Sequence, residues 1–364
     1  MEFSDGLCVW GGVRSSNFET LRLLCMLMVL NLHSFHGWYY GGGIWQALDF
    51  FRESTSVCAV DVFLLISGYF GIKWKFKSFF RLVFQVFFYS VGIYLVAVLF
   101  QIVEWNIKDF LTRFACLFYD SWGFVIGYVI LYFLSPVLNS FAQFANPRQY
   151  LLLILGLFIA TNFICLSSEG QLVLTYSLVY MIGRFLNKYR INQLPIATGK
   201  AYFATTLIIF ILVYFFLFGF LHLSSASSRI IGNIGYRYCA ILVILQAVFL
   251  FLYFSHLNFK SRFINWMAES SFAIFLIHMH PTIKTIGYES FTRSLYNYPE
   301  YLHITYLVVL ILTVFFLSII IDKLRIFMSN IFYLVIMKFA DKSHLSFAKM
   351  ESLLFEPILK KIEL

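Results

Sequence analysis

Ten stretches of mostly apolar residues, each 16 to 25 long, follow one another along the chain. They lie at about 19–37, 57–72, 79–103, 122–142, 150–167, 171–187, 201–222, 236–256, 267–286 and 302–321. A helix needs about 20 such residues to cross the hydrocarbon core of a bilayer. Inside lipid each segment must satisfy its own backbone polar groups, so runs of this length form helices. Barrel strands are about half as long and alternate in polarity. The expected fold is all-α, a polytopic membrane helix bundle with about ten transmembrane helices. Composition agrees, since only 12% of the 364 residues are charged and 61% are hydrophobic, against about 25% charged in a soluble domain. Lipid must solvate part of such a surface. The 45 Phe and 23 Tyr are suited to lipid contact and, for Tyr, to the membrane–water interface.

Residues Met1 to Ser16 are mostly polar, and no small-residue cleavage pattern follows the first run, so that run is expected to remain as a membrane helix. The net charge is +9, and its distribution decides its meaning. Lys73, Lys75, Lys77 and Arg81 follow the second run, Arg148 the fourth, Lys188, Arg190 and Lys200 the sixth, Lys260 and Arg262 the eighth, and Lys323 and Arg325 the tenth. Loops after odd-numbered runs are poorer in Lys and Arg. The positive-inside rule then places both termini in the cytoplasm, as an even number of spans also requires. The basic residues therefore answer to the bilayer, and no nucleic-acid module is present. Two parts are expected: an integral membrane domain over 1–327 and a cytoplasmic tail over 328–364, either an amphipathic surface helix or a frayed end. No repeat of 20–50 residues is evident. The six Cys are scattered without a CxxC and read as buried packing thiols, so no metal site is expected.

Ionisable groups inside a span are costly and often functional. The first run carries Glu19, Arg22, Asn31, His33 and His36. Arg22 and His33 are eleven positions apart, which is three helical turns plus ~20°, so they share one face about 16 Å apart along the axis. Arg22 lies toward the cytoplasmic end and His33 deep toward the outer half. This suits a phosphate anchor at a gate with a base further along a tunnel. The competing reading is that Arg22 snorkels to headgroups and His33 is a hydrogen-bonded packing residue. Asp61, four residues into the second run, is expected at a level comparable to His33. A carboxylate beside an imidazole raises its basicity and fixes its tautomer; otherwise Asp61 caps a helix at the interface. His278, in the ninth run, is again near the level of His33 and is either a substrate contact or a satisfied core histidine. His280, two residues on, faces another side of a helix, which weakens a two-histidine metal site. Walker-type, GxSxG and HExxH motifs are absent.

Four stretches together resemble the membrane acyltransferase 3 family, bacterial enzymes that O-acylate sugars and polysaccharides. The first is Arg22 followed after ten residues by His33. The second is Asp61 to Tyr69, ending Ser67-Gly68-Tyr69. The third is Tyr128 to Pro136, ending Leu134-Ser135-Pro136. The fourth is Phe272 to His278. The resemblance spans nearly the whole chain and implies a bundle of about ten helices in the bacterial inner membrane. It implies acetyl-CoA from the cytoplasm as donor substrate, with no tightly bound cofactor, and a glycan or lipid-linked glycan hydroxyl as acceptor. The residue matching His33 is catalytic in the family, and the one matching Arg22 serves the donor. Many members carry an Arg-x-x-Arg pair after the second helix; here the region reads Lys73, Lys75, Lys77 and Arg81, with the charge but not that spacing. The expected enzyme is an O-acetyltransferase with His33 as general base, Asp61 as its orienter, Arg22, Lys77 and Arg81 at the donor phosphates, and His278 toward the substrate. The alternative is a non-enzymatic transporter or flippase of glycan intermediates, for which paired discontinuous helices in two related halves would be the sign.

Overall fold

The computed structural model describes residues 9–10, 13–36, 43–116, 122–164, 168–193, 198–218 and 237–343. Part of the expected tail, 344–364, lies outside the described residues, as does the Lys77 side chain. Apart from a short antiparallel pairing of Val9–Trp10 with Val13–Arg14, the described elements are helices.

The helices are α1 (Ser16–His33), α2 (Gly43–Ser56), α3 (Ala59–Phe70), α4 (Phe76–Leu99), α5 (Ile107–Phe114), α6 (Gly123–Phe144) and α7 (Pro147–Ile159). They continue with α8 (Ser168–Lys188), α9 (Thr198–Ile211), α10 (Ile241–His256), α11 (Arg262–Ala268), α12 (Ser271–His278), α13 (Ser290–Ser294) and α14 (Glu300–Ser343). Wider π-helical turns extend α7 over Ala160–Ile164 and α9 over Leu212–Phe218, and Ile283–Glu289 leads into α13. Five stretches are long and apolar enough to cross a membrane: Ser78–Leu99, Gly123–Phe144, Pro147–Ile164, Thr198–Phe215 and Tyr301–Met328. Their outward faces expose Leu99, Val137, Leu152 and Phe316, a surface that calls for lipid rather than water as solvent.

Helical structure falls on all ten apolar intervals, with differences in detail. The second interval holds α3, whose 12 residues reach only about 18 Å, short of the ~30 Å hydrocarbon core. It stops at Gly71, where φ is +75°, a left-handed conformation that glycine adopts at no steric cost. The ninth interval is broken into α11, α12 and a π-helical turn after Pro281; the break after α12 falls at Pro281, because proline removes one helical hydrogen bond and clashes with the preceding turn. The tenth runs on without a break through 327, so α14 is 44 residues long and joins the two parts expected from sequence.

α1 runs through the middle of the bundle, with α2, α3, α10, α11, α12 and α14 all packed on it. At its start, Ser16 Oγ accepts from Ser261 N at 2.8 Å and donates to Asn265 Oδ1 at 3.0 Å, and Asn17 Nδ2 donates to Phe254 O at 2.9 Å. At its far end, Arg52 of α2 donates from Nη1 to Asn31 O (3.0 Å), to Ser34 Oγ (2.8 Å) and to Asn31 Oδ1. The first of these contacts caps the Asn31 carbonyl, one of those that a helix C-terminus leaves short of intrahelical partners. α2 falls between the first two apolar runs, where the sequence predicts a loop. It folds as a helix with Asp49, Glu53 and Ser54 buried, and Tyr296 donates to Asp49 at 2.8 Å.

α5 likewise falls between two apolar runs, the third and the fourth, where the sequence predicts a loop. Tyr94 holds Asn106 by its backbone N–H and C=O at 2.9 and 3.0 Å, and Ser90 Oγ donates to Arg113 O at 2.9 Å. The helix therefore folds back along α4, to the level where Phe87 meets Phe114 at 5.2 Å.

Candidate active site

His33 is the last residue of α1, and α12 ends at His278 directly beside it. His33 Nδ1 lies 2.9 Å from His278 Nε2, and His278 Nδ1 lies 2.6 Å from the backbone oxygen of Ile274. A carbonyl only accepts, so His278 carries its proton on Nδ1. In neutral His278 the Nε2 atom is then a bare acceptor, and His33 must donate to it from Nδ1. Neutral His33 is left with its lone pair on Nε2. Two hydrogen bonds in a row thus set the tautomers of both rings. His278 is fully buried and is further enclosed by Phe275 and Tyr288, whose ring centroids lie 5.9 and 5.7 Å away.

The partner of His33 is therefore His278 rather than Asp61. Asp61 sits in the first turn of α3, fully buried, and among the described residues neither of its carboxyl oxygens has a hydrogen-bond partner. His280 turns away from His278, with Nε2 3.1 Å from Ser90 O, while Trp122 Nε1 donates to Met279 O at 3.0 Å. Among the described residues, no three His, Cys, Asp or Glu side chains gather in metal-ligating range.

His33 borders a cavity of about 460 Å³ whose wall also includes Glu53, Gln171, Tyr176, Arg237 and Tyr238. A small-molecule site has a volume of this order. α8 supplies one side because it crosses α3 in backbone contact. Gly68 and Gly183 leave no room for a side chain, since a Cβ at Gly68 would lie 2.1 Å from Tyr180 O. Glu53, Gln171 and Arg237 were not singled out from sequence. For Glu53 a signal existed, because Asp49, Arg52 and Glu53 recur at helical spacing on one face of a segment otherwise dismissed as loop.

Arg22 lies toward the opposite end of α1. Its guanidinium is buried and pairs with Glu19, Nη1 to Oε1 at 3.3 Å. Ion pairs of the same kind ring this end, with Lys323 to Glu269 at 2.8 Å and Arg325 to Asp322 at 2.6 Å, while Tyr89 donates to Asp322 at 2.7 Å. Lys73 and Lys75 are exposed on the segment that leads from α3 into α4, and Arg81 is exposed near the start of α4. The structure thus brings His33 and His278 together, leaves Asp61 behind the cavity wall, and separates Arg22 from His33 along α1.

The pattern of an acyltransferase domain (Acyl_transf_3) matches residues 16–323. The chain belongs to the acyltransferase 3 family. No curated protein and no solved structure gives a significant match. The acyltransferase 3 match begins at the first residue of α1 and ends in α14, so every candidate residue lies within it. Membership of the acyltransferase 3 family, with the apolar helices, makes this a membrane protein of an acyltransferase family.

Proposed function

We propose that this protein is an O-acyltransferase of the bacterial inner membrane, with ten spans and both termini in the cytoplasm. In this reading it moves an acyl group, acetyl in the first instance, from acyl-CoA to a hydroxyl of a cell-surface or capsular glycan or its lipid-linked precursor. The observation that carries the reading is the hydrogen-bonded chain from Ile274 O through His278 to His33 at the wall of a cavity.

In the proposed reaction, Nε2 of His33 takes the proton of the acceptor hydroxyl as its oxygen attacks the thioester carbonyl. The C–O bond forms, the C–S bond breaks, and the imidazolium returns the proton to the departing thiolate. His278 holds the ring orientation and tautomer throughout, as a positioning residue. The donor's phosphates dock at the Arg22 end, with Lys77 and Arg81 on the adjoining basic segment, because coenzyme A is strongly anionic. The ~16 Å between Arg22 and His33 is a distance the extended pantetheine arm can cover.

The test is transfer of labelled acetyl from acetyl-CoA to glycan by purified protein in detergent. His33→Ala is expected to lower the rate about 10²- to 10⁴-fold while melting like wild type. Full transfer by a well-folded His33→Ala protein would sink the mechanism. Glycan binding with no acetyl-CoA consumption by the wild type would move the assignment to a transporter of glycan intermediates.

A further inference from the structure

The cavity at His33 is asymmetric in charge. Glu53 on its wall is buried at 6% exposure, whereas Arg237 is exposed. Among the described residues, the Arg237 guanidinium makes no ion pair and no hydrogen bond. Gln171 is anchored through Nε2 to Thr161 O at 3.2 Å, and Tyr176 and Tyr238 offer aromatic surface. Aromatic faces with a few fixed polar groups suit a sugar ring.

Arg237 stands at the opposite end of the bundle from Arg22. α10 runs antiparallel to α1, because its late residue Phe254 meets Asn17 at the start of α1. Its earlier residue Gln246 donates to Ser54 O at 2.8 Å, near the α2–α3 junction. Arg237, just ahead of α10, therefore belongs to the His33 end. A donor held by its phosphates near Arg22 does not require a second guanidinium there. The acceptor does, if the acceptor is itself charged.

We infer that the acceptor is an anionic glycan, and that Arg237 grips its carboxylate or phosphate substituent while a neighbouring hydroxyl is presented to His33. The inference rests on the acyl-transfer reading of His33. Arg237 acts as a specificity-determining residue. Its fork of donors matches either oxyanion, and Glu53 across the cavity accepts hydrogen bonds from sugar hydroxyls and disfavours a second anion on that side.

The acceptor for the test is the glycan fraction of host cells carrying His33→Ala, which is left unacylated. One portion stays intact, one has its carboxylates reduced to alcohols after carbodiimide activation, and one has its phosphates removed with hydrofluoric acid. Labelled acetyl transfer from acetyl-CoA is measured with purified wild-type, Arg237→Gln and Arg237→Lys proteins. Loss of one of the two anions is expected to raise the wild-type KM for glycan about 10- to 100-fold, the scale of one charge-assisted hydrogen bond, with kcat much less affected. Which treatment does so identifies the anion. Arg237→Gln is expected to show the raised KM on intact glycan and to be indifferent to that treatment, and Arg237→Lys to recover part of the loss. A wild-type enzyme that accepts both stripped glycans as well as the intact one overturns the inference, as does an unchanged KM in Arg237→Gln. Absence of transfer to intact glycan by the wild type would instead remove the acyl-transfer reading beneath it. Thermal melting of both variants separates a binding defect from misfolding.

Discussion

Gly68 of α3 and Gly183 of α8 meet backbone to backbone: a methyl group on Gly183 would stand 2.5 Å from Leu65 O, and one on Gly68 2.1 Å from Tyr180 O. Small residues let membrane helices approach this closely. Gly68→Ala and Gly183→Ala are each expected to lower stability by about 1–3 kcal/mol or more, since backbone atoms cannot swing aside as a side chain does. Thermal melting in detergent reads the loss. Because α8 carries Gln171 and Tyr176, activity is expected to fall with it.

His278→Ala removes the acceptor for His33 Nδ1–H without touching the proposed reacting atom. Its rate is expected to fall, but less than that of His33→Ala, roughly 10- to 10³-fold against 10²- to 10⁴-fold. The two losses are expected not to add in the double variant, since the rings act as one unit. Additive losses would mean that His278 has a separate role.

Arg22 and Glu19 supply a prediction for the donor. Coenzyme A is expected to raise the melting temperature of the wild type, by an amount equivalent to about 2.7 kcal/mol at a hundred times Kd. Arg22→Ala should abolish that rise. Glu19→Gln is expected to destabilise the ligand-free protein, and coenzyme A to restore more stability to it than to the wild type, because a phosphate replaces the missing carboxylate. An equal rise in Arg22→Ala would place the donor elsewhere.

Asp61 is fully buried, with both oxygens unpartnered among the described residues, an arrangement that costs stability. Asp61→Asn is expected to leave the melting temperature equal or higher while reducing acyl transfer, the pattern of a group kept for function. Unchanged transfer would make Asp61 a structural residue only.

Arg52 ties α2 to the Asn31 carbonyl, the Asn31 side chain and the Ser34 hydroxyl at the end of α1, next to His33. Arg52→Ala is expected to lose about 2–4 kcal/mol, with Arg52→Lys recovering only part, because the planar fork serves several acceptors at once. Melting curves and transfer rates should fall together.

The helices were legible because lipid demands long apolar runs, and the shared face of Arg22 and His33 followed from helical periodicity alone. The level of His278 was legible too, but not its contact with His33. That contact depends on α12 ending at the residue where it meets α1, and the break at Ser270 and Pro281 sets that register. Asp61 looked the better partner because a carboxylate beside an imidazole is the commoner arrangement. α3 instead turns the carboxyl toward its own surroundings. α2 escaped notice because its buried side, with Asp49 and Glu53, is polar. It packs on the equally polar end of α1, so hydrophobicity carries no trace of it. Gln171 and Arg237 reach the cavity through the α3–α8 crossing and the α10 direction, both properties of the assembled bundle.

One dimension of α14 reaches beyond the catalytic question. Its 44 residues make a rod of about 66 Å, roughly twice the hydrocarbon thickness of a bilayer. To confine that rod within the hydrocarbon would require a tilt beyond 60°, outside the range membrane helices adopt. A length equivalent to several turns must stand clear of the lipid as a stiff mast. Ser343 at its end is then held away from the membrane plane, and a neighbouring protein could meet this chain there without approaching the bilayer.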